Sequence, residues 1–131
     1  MAIVLPLLLL LIMGMVDFGF LFQRYVVLTN AAAEGARVGT LPGYSPADAV
    51  ARVQAYATNG GVSGVVNAVA VAVALPGAGG GPAWPGVQVT VTHVYTYQFL
   101  TPIAALFGGG TDGSVTITTR STMRSQMAAA P

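Results

Sequence analysis

Few side chains in this sequence could do chemistry. His93 is the only histidine and there is no cysteine, so a histidine-built metal cluster, an H-E-x-x-H pair, thiolate catalysis and a disulfide are all outside its means. A Ser/His/Asp triad would have to recruit His93 with Asp48 or Asp112, a combination that any chain of this length offers by chance. The glycine clusters at 79–81 and 108–110 are followed by neither Lys-Ser/Thr nor a strand-to-helix GxGxxG context, so they read as loops and not as phosphate cradles. His93 itself falls on the apolar side of an alternating run, the setting of a hydrogen-bonded core histidine. The expectation is a protein that is not an enzyme and holds no metal or cofactor.

Asp17 has the best physical claim to a role. It alone interrupts the apolar run from Met1 to Phe22, and a carboxylate inside a membrane helix costs about 2.5 to 3.5 kcal/mol, so it needs a partner or an outlet to water. Arg24 of a neighbouring helix and a neighbour's N-terminal amine are the candidate partners.

The element that must position Asp17 is the run itself. Met1 to Phe22 would span about 33 Å as a helix, against about 30 Å of hydrocarbon. No Lys or Arg precedes it and Ala31-Ala32-Ala33 is a weak cleavage-site lookalike, which argues against a removable signal peptide. A permanent anchor and a filament helix remain. The segment from Gln23 to Val38 has helical character and no proline, so one helix is expected to run to about Gly39, with roughly 25 Å projecting from the bilayer. Pro6, Gly14 and Gly19 are the points where it could bend or unwind. Leu28, Ala31, Ala32 and Gly35 recur at i, i+3, i+4 and i+7 as a narrow stripe of mostly small residues. Such a stripe lets another backbone approach closely, from a neighbouring subunit or from the chain's own head. Glu34 and Arg37 can pair at i, i+3.

The rest divides into short elements. Residues 1–40 are expected to form the transmembrane and filament-core helix, and 41–131 a small α+β head. Ser45-Pro46-Ala47-Asp48 reads as an N-cap, a proline at N1 and an acidic N3, opening a helix that ends at Asn59-Gly60-Gly61. Its apolar positions Val50, Val53 and Ala57 share one face. Asn67 to Leu75 alternates strictly, with Val69, Val71, Val73 and Leu75 on one side and a small Ala face, suited to close helix packing, on the other. Pro76 to Gly86 reads as a loop. A second alternating run sets Val87, Val89, Val91, His93, Tyr95, Tyr97 and Phe99 inward, and Ser114 to Ser121 makes a third strand with Val115 and Ile117 inside. Residues 101–107 read as a helical turn, 108–113 as a tight connection, and 123–131 as a frayed or helical tail. The fold expected is α+β: a long helix packed on an antiparallel sheet of about three strands, whose large side chains, Val69, Val71 and Val73 among them, lie under the helix.

Composition points the same way. Charged residues make up 7% of the chain against a usual figure of about 25%, and apolar ones 54%. A surface this poor in charge associates with other subunits. A net charge of +1 with no lysine provides no patch for nucleic acid. A head of about 90 residues without disulfides is near the small end for an independent core, which leaves oligomerisation as its support.

The run Met1-Ala2-Ile3-Val4-Leu5-Pro6, then Val16-Asp17-Phe18-Gly19, then Glu34-Gly35-Ala36-Arg37 resembles the N-terminal signature of TadE-like proteins, pilin-related subunits of the tight-adherence (Tad/Flp) pilus system. Val87-Gln88-Val89-Thr90-Val91, Phe99-Leu100-Thr101-Pro102 and Met123-Arg124 extend the resemblance toward the C-terminus. It implies a type IV pilin-like protein, made as an inner-membrane precursor with a basic leader, cut by a prepilin peptidase and passed to the pilus assembly machinery. The family would place a glutamate just ahead of the position held by Met1, and no such residue stands there. Arg24 and Arg37 just after the span would hold that end in the cytoplasm by the positive-inside rule unless basic residues once preceded it, so a removed leader is the expectation.

Two functions follow as expectations. The first is a structural subunit of an extracellular helical filament for adhesion or surface attachment, homo-oligomeric through its hydrophobic helix, with Asp17, Arg24, Leu28, Ala31, Ala32 and Gly35 in subunit packing. The second is a membrane-anchored minor pseudopilin, or an assembly or binding module of the same machinery.

Overall fold

The computed structural model describes residues 3–62, 66–75, 84–102 and 113–125. Helix α1 runs unbroken over Val4–Gly39. It does not unwind at Pro6, Gly14 or Gly19. Pro6 lies in the first turn, where the backbone N–H groups have no partner within the helix, so its missing donor costs nothing there. Helix α2, Pro46–Asn59, opens on a capping box: Asp48 N–H donates to the Ser45 hydroxyl while Ser45 N–H donates to the Asp48 carboxylate at 2.8 Å. The Ser45 N–H and the Ser45 hydroxyl, which donates to the same carboxylate at 2.7 Å, hold the exposed Asp48 carboxyl below its ordinary range. The buried face of α2 is Ala49, Val53 and Ala57, with Val50 at its margin.

Strands β1 (Val66–Leu75), β2 (Trp84–Thr96) and β3 (Ser114–Arg124) form one antiparallel sheet in the order β1-β2-β3. The expected α+β architecture is the one observed. Three expected boundaries shift. Trp84 to Gly86 belong to β2 instead of a loop, since Trp84 pairs with Leu75, and β2 ends at Thr96, short of the inward Tyr97 and Phe99. Met123 and Arg124 continue β3 instead of a tail, pairing with Val87 and Gly86. Leu100 to Pro102 are helical, while the rest of that expected turn and the connection 108–112 lie outside the described residues.

The core lies between the sheet and the two helices. Leu28, Ala31, Ala32 and Ala36 of α1 and Val53 and Ala57 of α2 meet Val89, Val91, Tyr95 and Ile117. The face assignment of β1 is corrected. Register pairs Ala68 with Val91 and Ala70 with Val89, so these two alanines turn inward while Val69 and Val71 are 58% and 50% exposed; further along, Ala72 and Ala74 are exposed and Val73 and Leu75 are partly buried. The small side of β1 lets the helices close on the sheet; turning the valines inward would hold them off.

Candidate functional site

The residues singled out on α1 share one face. Asp17, Leu21, Arg24, Leu28, Ala31 and Gly35 succeed one another at steps of three or four, and each is buried or partly buried. That face belongs to the chain's own head.

Asp17 is 1% exposed. Its carboxylate accepts from three consecutive backbone N–H groups: Gln98 at 3.2 Å, Phe99 at 3.1 and 3.3 Å, and Leu100 at 2.8 Å. The partner is therefore the turn after β2, in cis, and not a neighbour's Arg24 or N-terminal amine. Two further bonds close the turn: Tyr97 N–H donates to the Gly113 carbonyl at 2.8 Å, and the Thr101 hydroxyl donates to the Tyr97 carbonyl at 2.7 Å. Four successive backbone N–H groups, 97 to 100, thus find acceptors inside the protein. Across from this turn, a Cβ placed on Gly14 would sit in ordinary contact with a Leu100 methyl group, 3.7 Å away.

One helical turn or two above, Arg24 places its guanidinium 5.1 Å from the Tyr95 ring centroid, and its Nη1 is 3.5 Å from His93 Nε2. His93 is buried at 3% exposure, as expected of a core histidine. Arg24 can only donate, so the contact uses the imidazole in the form whose Nε2 carries no proton. Tyr95 packs edge-on against Tyr97, and its buried hydroxyl has no hydrogen-bond partner among the described residues. Burial first, and the charge of Asp17 second, push the Tyr95 phenol above its ordinary range, keeping it neutral.

Of the two alternatives for the small-residue stripe, the single chain uses it for its own head. Leu28, Ala31, Ala32 and Gly35 are buried under the head, so they have no surface left for another subunit. Gly35 shows why they are small. A Cβ there would come 2.3 Å from Val53 Cγ2 and 3.1 Å from the Ala49 carbonyl oxygen, so α1 and α2 cross nearly backbone to backbone. The Thr119 hydroxyl on β3 donates to the Leu28 carbonyl at 3.3 Å, fixing the sheet against the same stripe. Glu34 pairs with Arg37 at 3.6 Å, as its spacing suggests, and also with Arg52 of α2 at 3.2 Å.

What remains outward is apolar. From Ile3 to Ile12 every large side chain is exposed, and Met15, Val16, Phe18, Phe20 and Phe22 continue the surface past Asp17. The helix meets the length and composition needed to cross a membrane, with a mean hydropathy of 2.4 over its most apolar window. Between α1 and β3 lies a groove of about 420 Å³, lined by Phe18, Leu21, Phe22, Tyr25, Val115 and Ile117 with two threonines. Among the described residues, no three His, Cys, Asp or Glu side chains converge to hold a metal.

Sequence reasoning found Asp17 and its need for a partner but missed the partner. The signal was Phe99-Leu100-Thr101-Pro102, a short helical start whose first N–H groups lack acceptors and whose hydrophobicity suits the same depth.

A membrane-length helix carrying a small capped-helix and three-stranded head on its upper part is the class of protein this geometry defines. Residues 1–37 match the family model described as TadE-like protein, a span that covers Asp17, Arg24 and the Glu34-Gly35 pair and stops before the head. The N-terminal helix is thus similar to that family over the segment that carries the signature residues. No curated protein and no solved structure matches the chain.

Proposed function

We propose that this chain is a structural subunit of a Tad-type pilus filament, anchored in the inner membrane by α1 before assembly and polymerising with further copies through the apolar surface of that helix. The observation that carries the reading is the surface of Ile3 to Phe22, apolar all round except where Asp17 turns into the head. Such a surface needs lipid at one stage and other subunits at the next. The TadE-like match of the same segment supports a place in the Tad system. Low charge supports association, and Val69, Val71 and Val94 are exposed apolar side chains on the outer face of the sheet. The work is structural, with adhesion or surface attachment as its outcome. A prepilin peptidase and the pilus assembly machinery are the partners this reading requires.

The burial of the small-residue stripe in cis favours a second reading, a minor pseudopilin or assembly module retained in the membrane. Shearing cell-surface material, imaging it and weighing its subunits by mass spectrometry separates the two. The first requires the chain as the bulk of a filament. Recovery only from the membrane fraction would overturn it in favour of the second.

A further inference from the structure

The charges of the described residues are sorted along α1. Arg24, Glu34, Arg37, Asp48, Arg52, Arg120 and Arg124 lie at or above the level of Arg24, with Arg124 paired to Gly86 at the end of the sheet beside the top of α1. Below Arg24 the described residues comprise α1 to Gln23, the turn at 97–102 and the start of β3, and Asp17 is the only charge among them. Among the described residues this lower part carries no exposed charge, with Thr96, Gln98 and Ser114 among its exposed polar side chains. Phe99 and Leu100, at its tip, are each 38% exposed, and the groove beside them is lined by Phe18, Phe22 and Val115.

Depth follows from helix geometry. From Asp17 to Arg24, the first cation of α1, the helix rises about 10 Å. A helix that spans the bilayer up to its first cation therefore carries the turn bound to Asp17 about 10 Å below the surface. Irregular backbone is not stable at that depth unless its polar groups are satisfied within the protein. The N–H groups of residues 97 to 100 meet that condition, three of them through Asp17.

We propose that in the membrane-bound state the foot of the head is sunk into the lipid: Phe99, Leu100 and the α1/β3 groove contact acyl chains, and Asp17 is the acceptor that lets this turn leave water. The occupant is lipid instead of a second copy because, among the described residues, no exposed charge lies below Arg24, the level at which the apolar span of α1 ends. The inference rests on the reading that α1 spans a membrane before assembly.

The absence of cysteine makes site-directed labelling direct. The full chain, carrying Met15→Cys, Phe99→Cys, Leu100→Cys or Ala51→Cys with a nitroxide, is reconstituted in phosphatidylethanolamine/phosphatidylglycerol vesicles. Collisions with oxygen, which partitions into lipid, are compared with those of a water-soluble nickel chelate. Labels at Phe99 and Leu100 are expected to favour oxygen as Met15 does, while Ala51, exposed on α2, favours nickel. If Met15 reports lipid but both foot sites report water, the foot is not submerged although the anchor stands. If Met15 also reports water, the membrane reading falls and takes this inference with it. Foot labels shielded from both reagents would mean protein cover, and a second copy would replace lipid as the occupant. Two foot sites guard against one substitution disturbing the turn.

Discussion

Replacing Asp17 by Ala should release the foot of the head without unfolding the rest. The carboxylate receives three backbone donors, and hydrogen bonds to a charged acceptor contribute about 1.5 to 3 kcal/mol each, which would sum to roughly 4.5 to 9 kcal/mol if nothing relaxed. Phe99 and Leu100 lie at the edge of the head, so the turn rearranges once the carboxylate is gone and the full sum is an upper bound. A buried neutral donor left without its acceptor costs about 1 to 3 kcal/mol, and with three donors partly relaxed about 3 to 5 kcal/mol in all is the better expectation here. Against a total stability of about 5 to 15 kcal/mol, the loss is large enough to open the turn and too small to force global unfolding. The assay is amide hydrogen exchange on the full chain in detergent micelles. Residues 98 to 100 should exchange at least about 100-fold faster in the variant, since each 1.4 kcal/mol is a factor of ten, while Val89 and Val91 keep their protection. Asp17→Asn, which retains one oxygen acceptor but loses the charge, should fall between. Unchanged exchange at 98 to 100 in Asp17→Ala would refute the anchor.

Four further outcomes follow from the packing. Gly35→Ala should destabilise by about 1 to 3 kcal/mol because its methyl group meets Val53 and the Ala49 carbonyl, whereas Gly19→Ala, with nothing within 4 Å, should be neutral or gain up to about 1 kcal/mol; paired thermal melts in one detergent decide it. Val91→Asp places an unpaired charge in the core and should abolish the folded head, while Val69→Asp, on the exposed side of β1, should fold normally; limited proteolysis reads both, and equal resistance would reverse the face assignment. Tyr95→Phe removes a buried hydroxyl that has no partner among the described residues and should leave stability unchanged or higher, so a lower melting temperature would reveal a bond that hydroxyl makes. Asp48 has its carboxyl pKa lowered by folding, so its contribution is complete well above the ordinary value of 3.8 and is lost as pH falls through the lowered folded value; acid titration of helicity should lose that component in Asp48→Asn.

The elements of this fold were legible because each carried a local signal. The capping box at Ser45 and Asp48, the apolar run to Phe22 with its proline-free continuation to Gly39 and the alternation of Val87 to Tyr95 all point to structure within a few residues of themselves. What was not legible is which side of an element meets which neighbour. In β1 both faces are apolar, so alternation identifies a strand without saying whether alanine or valine is inside, and register against β2 makes that choice. The stripe from Asp17 to Gly35 posed the same problem. Small residues at helical spacing announce a close approach, and the periodicity is identical whether the approaching backbone is a neighbour's or α2 of the same chain. Only the sequence-distant contacts, Val53 at Gly35 and the amides of residues 98–100 at Asp17, resolve it.

That resolution constrains how copies of α1 can meet. Because the stripe through Asp17, Arg24, Leu28, Ala31 and Gly35 is spent on the head, a neighbouring helix has only the opposite side of the upper segment, where Phe22, Val26, Thr29 and Asn30 are exposed. That side grows polar with height, and Arg37 is exposed at its top. Below Asp17 there is no such restriction, since Ile3 to Ile12 present large apolar side chains in every direction. Attraction between copies, on the proposed reading, is therefore concentrated in the segment that lipid covers beforehand, and the upper segment supplies orientation more than affinity. Leaving the bilayer then exchanges lipid for protein around the same residues. With hydrocarbon as apolar as the side chains themselves, that exchange has no hydrophobic driving force of its own and must draw on packing. The small residues that usually favour such packing are here inside the subunit, so the fit of Leu, Ile and Phe side chains between copies has to supply it.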